Sequence, residues 1–114
     1  MSDCLFCKIA TKQIPSSFLF EDDDVCAFRD IAPQAPVHIL VIPKRHFSTV
    51  NEVTDFAIIG KMASVLKDLA HKEGIDQRGY RLVMNCNPEG GQSVYHIHMH
   101  LLGGTQLGGG MTGL

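Results

Sequence analysis

Between Asp55 and Glu73 the apolar residues Phe56, Ile59, Met62, Ala63, Leu66, Leu69 and Ala70 recur at spacings of three and four. That period is the mark of a helix with one buried face. Thr54 predicts its N-cap and Gly74 its stop. Further along, the period changes to two, with Tyr95, Ile97, Met99 and Leu101 alternating with His96, His98 and His100. Side chains at i, i+2 and i+4 of a strand leave the same face. The alternation therefore predicts a strand with three imidazoles on one side and an apolar set on the other. A helix would scatter those rings around its barrel.

The remaining pattern is strand-like. Ser17 to Glu21 and Val25 to Arg29 read as a hairpin around Asp22-Asp23-Asp24, a solvated turn with no assigned role. Val37 to Ile42 is a β-branched strand bounded by Pro36 and Pro43, and Tyr80 to Cys86 is the next strand. Cys4-Leu5-Phe6-Cys7 opens a short helix that must end by Ile14, because the residue before Pro15 is pushed out of the helical region. The order is hairpin, strand, long helix, two strands: an α+β domain with a five-stranded antiparallel sheet, one long helix and a short N-terminal helix. One domain over residues 1–104 is expected, followed by a glycine-rich tail over 105–114. The tail lacks the Gly-Lys-Ser/Thr ending of a phosphate-binding loop.

Composition narrows the function classes. A chain of 114 residues suits one core. A net charge of −2, with no basic run beyond Lys44-Arg45, argues against a general binder of nucleic acid or membrane surfaces. The N-terminus has neither a basic region nor a long apolar region, so no secretory signal is read and the cytoplasm is expected. Four cysteines in that compartment are not a disulfide framework.

A cytosolic Cys-x-x-Cys is either a redox pair or half of a metal site. The strand and βαβ context of a thioredoxin-like motif is missing around Cys4 and Cys7. A structural zinc site needs four nitrogen or sulfur ligands, and the candidates to complete one are His46 and His96. Cys26 and Cys86 lie in apolar stretches and read as small core residues.

Two chemistries compete for the histidine row. Three imidazoles can hold a catalytic metal. Alternatively, one neutral ring can attack phosphorus while a neighbour hydrogen-bonds the phosphoryl oxygens. Same-face residues on a straight strand stand roughly 6–7 Å apart and converge poorly on one ion. The small-residue turn Gly90-Gly91-Gln92-Ser93 would let backbone N–H groups approach an anion. Phosphorus chemistry is favoured.

His96-Ile97-His98-Met99-His100-Leu101-Leu102 resembles the histidine-triad signature. Gly90 to Tyr95, Asp30 to His38 and Val41-Ile42-Pro43-Lys44 resemble the Hint-like branch of that superfamily, and the likeness runs from Phe6 to about Gly104. It implies a hydrolase of nucleoside 5′-phosphoramidates, purine nucleotides preferred, working as a homodimer with a sheet continued across the partners. It also implies roles. His98 would attack the α-phosphorus. His100 and Asn85 would hold the phosphate beside Gly91 and Gln92. Ser93 would sit near the leaving group, and His38 close to the nucleophile. Asp30 would accept from the ribose hydroxyls. Leu5, Phe6, Ile9, Ile14, Phe28 and Ile31 would wall the base. Many Hint proteins lack the Cys-x-x-Cys. Branches of the superfamily that have it, the galactose-1-phosphate uridylyltransferase relatives among them, imply zinc on Cys4, Cys7, His46 and His96. The tail after Leu107 is unlike some Hint tails, which reach the partner's active site. The alternatives are a dinucleoside polyphosphate hydrolase or nucleotidyl transferase, and a nucleotide-binding interaction module without catalysis.

Overall fold

A computed structural model describes residues 3–110. Residues 111–114 of the expected tail lie outside them. The elements run α1 (Leu5–Ala10), β1 (Phe18–Glu21), β2 (Val25–Arg29), β3 (Val37–Pro43), α2 (Ala57–Lys72), β4 (Tyr80–Val83) and β5 (Met99–Gly103). The strands form one five-stranded sheet in the order β1-β2-β3-β5-β4, every neighbouring pair antiparallel. This is the α+β architecture expected from the pattern. No helix among the described residues is long and apolar enough to cross a membrane.

Period-two alternation sorts the side chains between the two faces. Val25, Ala27, Val37, Ile39, Val41, Met99 and Leu101 point to one side. There they meet Met62, Val65, Leu66, Leu69 and Ala70 of α2 in the main core. Burying a side chain such as Leu66 completely is worth roughly 1.5–3 kcal/mol, and this face carries most of the apolar burial. The opposite face holds Cys26, Phe28, Leu40 and Ile42 under α1, whose Phe6, Ile9 and Ala10 cover them. Helix α1 is short, so it roofs only part of that face. The same face also carries His38, His98 and His100, with Phe6 of α1 against the His98 ring.

The helix starts later than expected. Phe56 occupies the N-cap position without a side-chain hydrogen bond. Asp55 Oδ1 accepts from the Ala57 N–H at 3.0 Å, so Asp55 takes the capping role expected of Thr54. Phe56 is consequently more than half exposed instead of lying on the buried face. Gly74 does stop the helix, with φ +75°, a left-handed conformation that glycine adopts without a Cβ penalty. The acidic turn proves structural. Asp22 Oδ1 accepts from the N–H groups of Asp24 and Val25, and Lys61 pairs with Asp22 from α2.

Strands β4 and β5 are shorter than the alternation suggested. The Ile97 N–H donates to the Phe47 carbonyl at 2.8 Å. That bond draws residues 96–98 away from the β4 ladder, so the last registered pair is Val83 with His100. Only His100 of the three histidines is therefore inside a regular strand. The facing survives from Ile97 on: Ile97, Met99 and Leu101 stay in the main core and the three rings stay off it, whereas Tyr95, expected with the apolar set, is 41% exposed.

Candidate active site and metal cage

Cys4 sits at the N-cap of α1, where its Sγ accepts from the Cys7 N–H at 3.3 Å. The turn brings both sulfurs to one side of the helix start. His46, just after β3, and His96, just before β5, come in from the other side. Cys4 Sγ is 3.3 Å from His96 Nδ1, and Cys7 Sγ is 3.3 Å from His46 Nδ1 and 3.5 Å from His96 Nδ1. The two Nδ1 atoms are 3.2 Å apart. A tetrahedron built on Zn–N and Zn–S bonds of about 2.0–2.3 Å has edges of roughly 3.3–3.8 Å. The cage fits a tetrahedral ion.

The outer nitrogens of the two rings support that fit. His96 Nε2–H donates to the Pro43 carbonyl at 2.7 Å, which leaves Nδ1 with its lone pair facing the sulfurs. His46 Nε2 lies 3.3 Å from Ser48 Oγ. Burial lowers the His96 pKa, against the pull of the Pro43 carbonyl. Burial and the neighbouring Cys4 push the Cys7 thiol up to about 11. A cation would reverse that balance and bind the thiolates. Cys26 is fully buried in the α1 cluster, a core residue as expected. Cys86 is half-buried beyond the end of β4.

The cage also decides against one ion shared by the histidine row. His96 turns its Nδ1 to the cysteines, whereas His98 Nδ1–H donates to the His96 carbonyl at 2.8 Å. That bond fixes the His98 tautomer, with the proton on Nδ1 and a bare lone pair on Nε2. Phe6 meets the His98 ring edge-on, with centroids 5.1 Å apart and an interplanar angle of 87°. His98 is 7% exposed, so a wall backs the ring and little water reaches it.

His100 and His38 complete the face. The Gln34 N–H donates to His38 Nδ1 at 3.0 Å, so the proton of neutral His38 is on Nε2. That Nε2–H donates to His100 Nδ1 at 2.9 Å. By the same logic His100 carries its proton on Nε2. The order of donors is Gln34, His38, His100, each ring set by the one before it. Asp30 Oδ2 stands 3.5 Å from His38 Nε2, and its Oδ1 accepts from the Ala32 N–H at 2.8 Å. Burial drives the His100 pKa down to about 4, helped by the positive charge that His98 and His38 would carry if protonated and opposed by Asp30. His38 is also lowered by burial, with Asp30 again opposing.

The glycine turn behaves differently from expectation. A short 3₁₀ turn over Pro88–Gly90 closes on itself, with the N–H groups of Gly90 and Gln92 bonding the Asn87 carbonyl and that of Gly91 bonding Pro88. Those three donors face inward and are not offered to an anion. Gln92 is 6% exposed and fastens the loop: its Nε2 donates to the Ser48 and Val94 carbonyls, and its Oε1 accepts from the Asn87 N–H. Ser93 is exposed and Asn85 half-buried. Of the apolar wall candidates, Phe6, Ile9 and Phe28 are buried and Ile14 packs against them. Leu5 is about half exposed and Ile31 entirely so.

The sequence reading missed Gln34, Pro43 and Phe47, which act through backbone groups. No side-chain pattern could have exposed them.

With this geometry in place, the likenesses to other proteins are informative. The HIT domain family matches residues 11–107. The purine nucleoside phosphoramidase of Escherichia coli strain K12 is 53% identical over 108 residues, covering 93% of this chain and 91% of that protein. A 14 kDa zinc-binding protein of Brassica juncea is 49% identical over 109 residues, covering 92% and 96%. Among solved structures, a HIT family hydrolase from Legionella pneumophila Philadelphia 1 superimposes with a TM-score of 0.88 at 54% identity, covering 91% and 95%. The chain belongs to the HIT domain family.

Proposed function

We propose that the protein hydrolyses nucleoside 5′-phosphoramidates, purine nucleotides preferred, through a nucleotidyl-histidine on His98. The observation that carries this reading is the His98 tautomer: Nδ1–H is tied to the His96 carbonyl, and Nε2 is left as a nucleophile. The E. coli relative's name, purine nucleoside phosphoramidase, supports the substrate class.

In this reading Nε2 of His98 attacks the α-phosphorus, a new N–P bond forms, and the bond to the leaving amine breaks. The amine departs with a proton relayed from solvent through the exposed Ser93 hydroxyl, and the attacking water of the next step returns a proton to solvent. His100 donates its Nε2–H to a phosphoryl oxygen, its orientation held by His38, while Asn85 supplies a further donor. Water then attacks phosphorus, releases the nucleoside monophosphate and returns His98 to its starting state. Asp30 accepts from the ribose hydroxyls, as an ionised carboxylate can from a vicinal diol. Phe6, Ile9, Ile14 and Phe28, with Leu5 and Ile31 at the rim, receive the base. Gly91 turns the chain with φ +86° and Gln92 fastens the loop that presents Ser93, so both act through the loop and not by direct bonds to the phosphate.

The metal we assign to Cys4, Cys7, His46 and His96 is zinc, in a structural role. The two-thiol, two-imidazole set and the name of the Brassica relative support it. Thiols kept free for a metal suit the cytoplasm. We also assign a homodimer whose sheet continues from one protomer to its partner. β4 is an edge strand with Leu82 39% exposed, and such an edge invites pairing. Light scattering in solution tests it: a monomer mass would refute the dimer.

A substrate panel followed by phosphorus NMR tests the activity. Higher kcat/KM on adenosine 5′-phosphoramidate than on dinucleoside polyphosphates is the expected result. The reverse order would move the assignment to polyphosphate hydrolysis, and tight binding without turnover would make the chain a binding module.

A further inference from the structure

The peptide unit joining His96 to Ile97 is held from both sides. Its carbonyl accepts from the Nδ1–H of His98 at 2.8 Å, and its N–H donates to the Phe47 carbonyl, also at 2.8 Å. Both holds adjoin the metal cage. His96 is itself a cage residue, fixed at its far ring nitrogen by Pro43, and Phe47 follows His46, another cage residue. The remaining two cage residues, Cys4 and Cys7, bracket Phe6. That ring stands edge-on to His96 at 6.0 Å and to His98 at 5.1 Å. Each of the four ligands is thus within two residues of a group that touches His98 or the peptide that orients it.

Resting on the nucleophile assignment above, we infer that the Cys4–Cys7–His46–His96 cage is a positioning device for His98 as well as a staple for the N-terminus. Occupancy of the cage locks the plane of the 96–97 peptide and the Phe6 ring. Through them it keeps His98 as the single tautomer with Nε2 free. When the cage is empty, the segments at residues 4–7, 46–47 and 96–98 lose their common anchor. The carbonyl of His96 then no longer has one direction, and the His98 proton distributes between its two nitrogens. His46 and Phe6 are positioning residues in this scheme. A cage that served only as a staple would change stability and leave the His98 ring as it is.

The test compares three states of the full-length protein: Zn²⁺-loaded, chelator-stripped and reloaded with Zn²⁺. Two readouts are followed, long-range ¹H–¹⁵N NMR of the histidine rings and the single-turnover rate of nucleotidylation. The loaded protein should show His98 as one Nδ1–H tautomer. Stripped protein that remains folded by circular dichroism should show mixed tautomers and nucleotidylate about 10–100-fold more slowly. Its nucleotide Kd should stay within about threefold of the loaded value. Zn²⁺ should restore both readouts. Folded, stripped protein that keeps the Nδ1–H tautomer and the loaded rate overturns the proposal. If stripping unfolds the chain, Phe6→Leu in the loaded protein decides the matter. Because Phe6 also walls the base, the rate is read at saturating nucleotide: mixed tautomers with slower nucleotidylation there, at unchanged zinc content, support the coupling, and a single Nδ1–H tautomer overturns it. A loaded parent that never forms nucleotidyl-histidine refutes the nucleophile assignment instead, and the tautomer spectra still judge the cage.

Discussion

His38 Nε2 faces His100 Nδ1 across 2.9 Å, a hydrogen bond between rings on two adjacent strands. The register pairs His38 with Leu102 and Leu40 with His100, so the two histidines are diagonal neighbours on one face. A one-residue slip between β3 and β5 would separate them, and the packing of Ile39, Val41, Met99 and Leu101 against α2 forbids that slip. The core on one face thus sets the chemistry on the other.

His38→Ala should remove the donor that fixes the His100 tautomer and leave a largely buried Nδ1 unpaired. A lost hydrogen bond of this kind costs about 1–3 kcal/mol, and felt wholly in the transition state that is roughly a 5–150-fold fall in kcat. KM should change little, because the ring holds its neighbour and not the base. Steady-state kinetics on adenosine phosphoramidate checks the split. A change confined to KM would place His38 in binding.

The pH dependence follows from the depressed His100 pKa. An unfolded histidine takes up a proton near about 6.5, whereas His100 in the fold resists it until about 4. Between those values the unfolded chain binds more protons, so stability is lost as pH falls through the window. His38, also depressed by burial, adds in the same direction. Urea titrations at intervals from pH 7 to pH 4 should show a falling midpoint, and His100→Gln should flatten the fall. An unchanged slope in that variant would contradict the assignment.

Removing one cage ligand should cost stability. Cys4→Ser, or stripping zinc with a chelator, should lower Tm by about 10 °C, the shift expected for roughly 2 kcal/mol in a domain of this size. Differential scanning calorimetry with and without Zn²⁺ measures it. A Tm that does not respond to the ion would mean the cage is not loaded.

Leu66 is fully buried in the main core between α2 and the sheet, on the side of the sheet away from His38, His98 and His100. Leu66→Ala should lose about 2–5 kcal/mol of stability through the cavity it leaves. At a temperature where the variant stays folded, kcat should equal the parent's. A large fall in kcat there would show that the main core is coupled to the site more tightly than its separation on the sheet suggests.

The fold was legible where period and punctuation agreed. The three-and-four spacing of Met62, Leu66 and Leu69 located α2, and the glycine at 74 ended it. The alternation around His98 gave the correct facing although only Met99–Gly103 forms a strand. All four cage residues were legible as candidates: the Cys4–Cys7 spacing is local, and His46 and His96 were named to complete the set, but that they meet depends on a fold that brings distant segments together. The roles of Gln34, Pro43 and Phe47 were invisible because backbone groups carry them. The turn at Gly90 misled for a similar reason. Small residues there promised open N–H groups, whereas the 3₁₀ turn and the buried Gln92 side chain satisfy them internally.

The direct test of the account is the covalent intermediate on His98. Protein quenched during turnover of adenosine phosphoramidate should yield, by mass spectrometry, a peptide heavier by one nucleotidyl group, with fragmentation placing the group on His98. His98→Ala should bind nucleotide but form no adduct and release no amine. An adduct on another residue, or undiminished turnover by His98→Ala, would contradict the account.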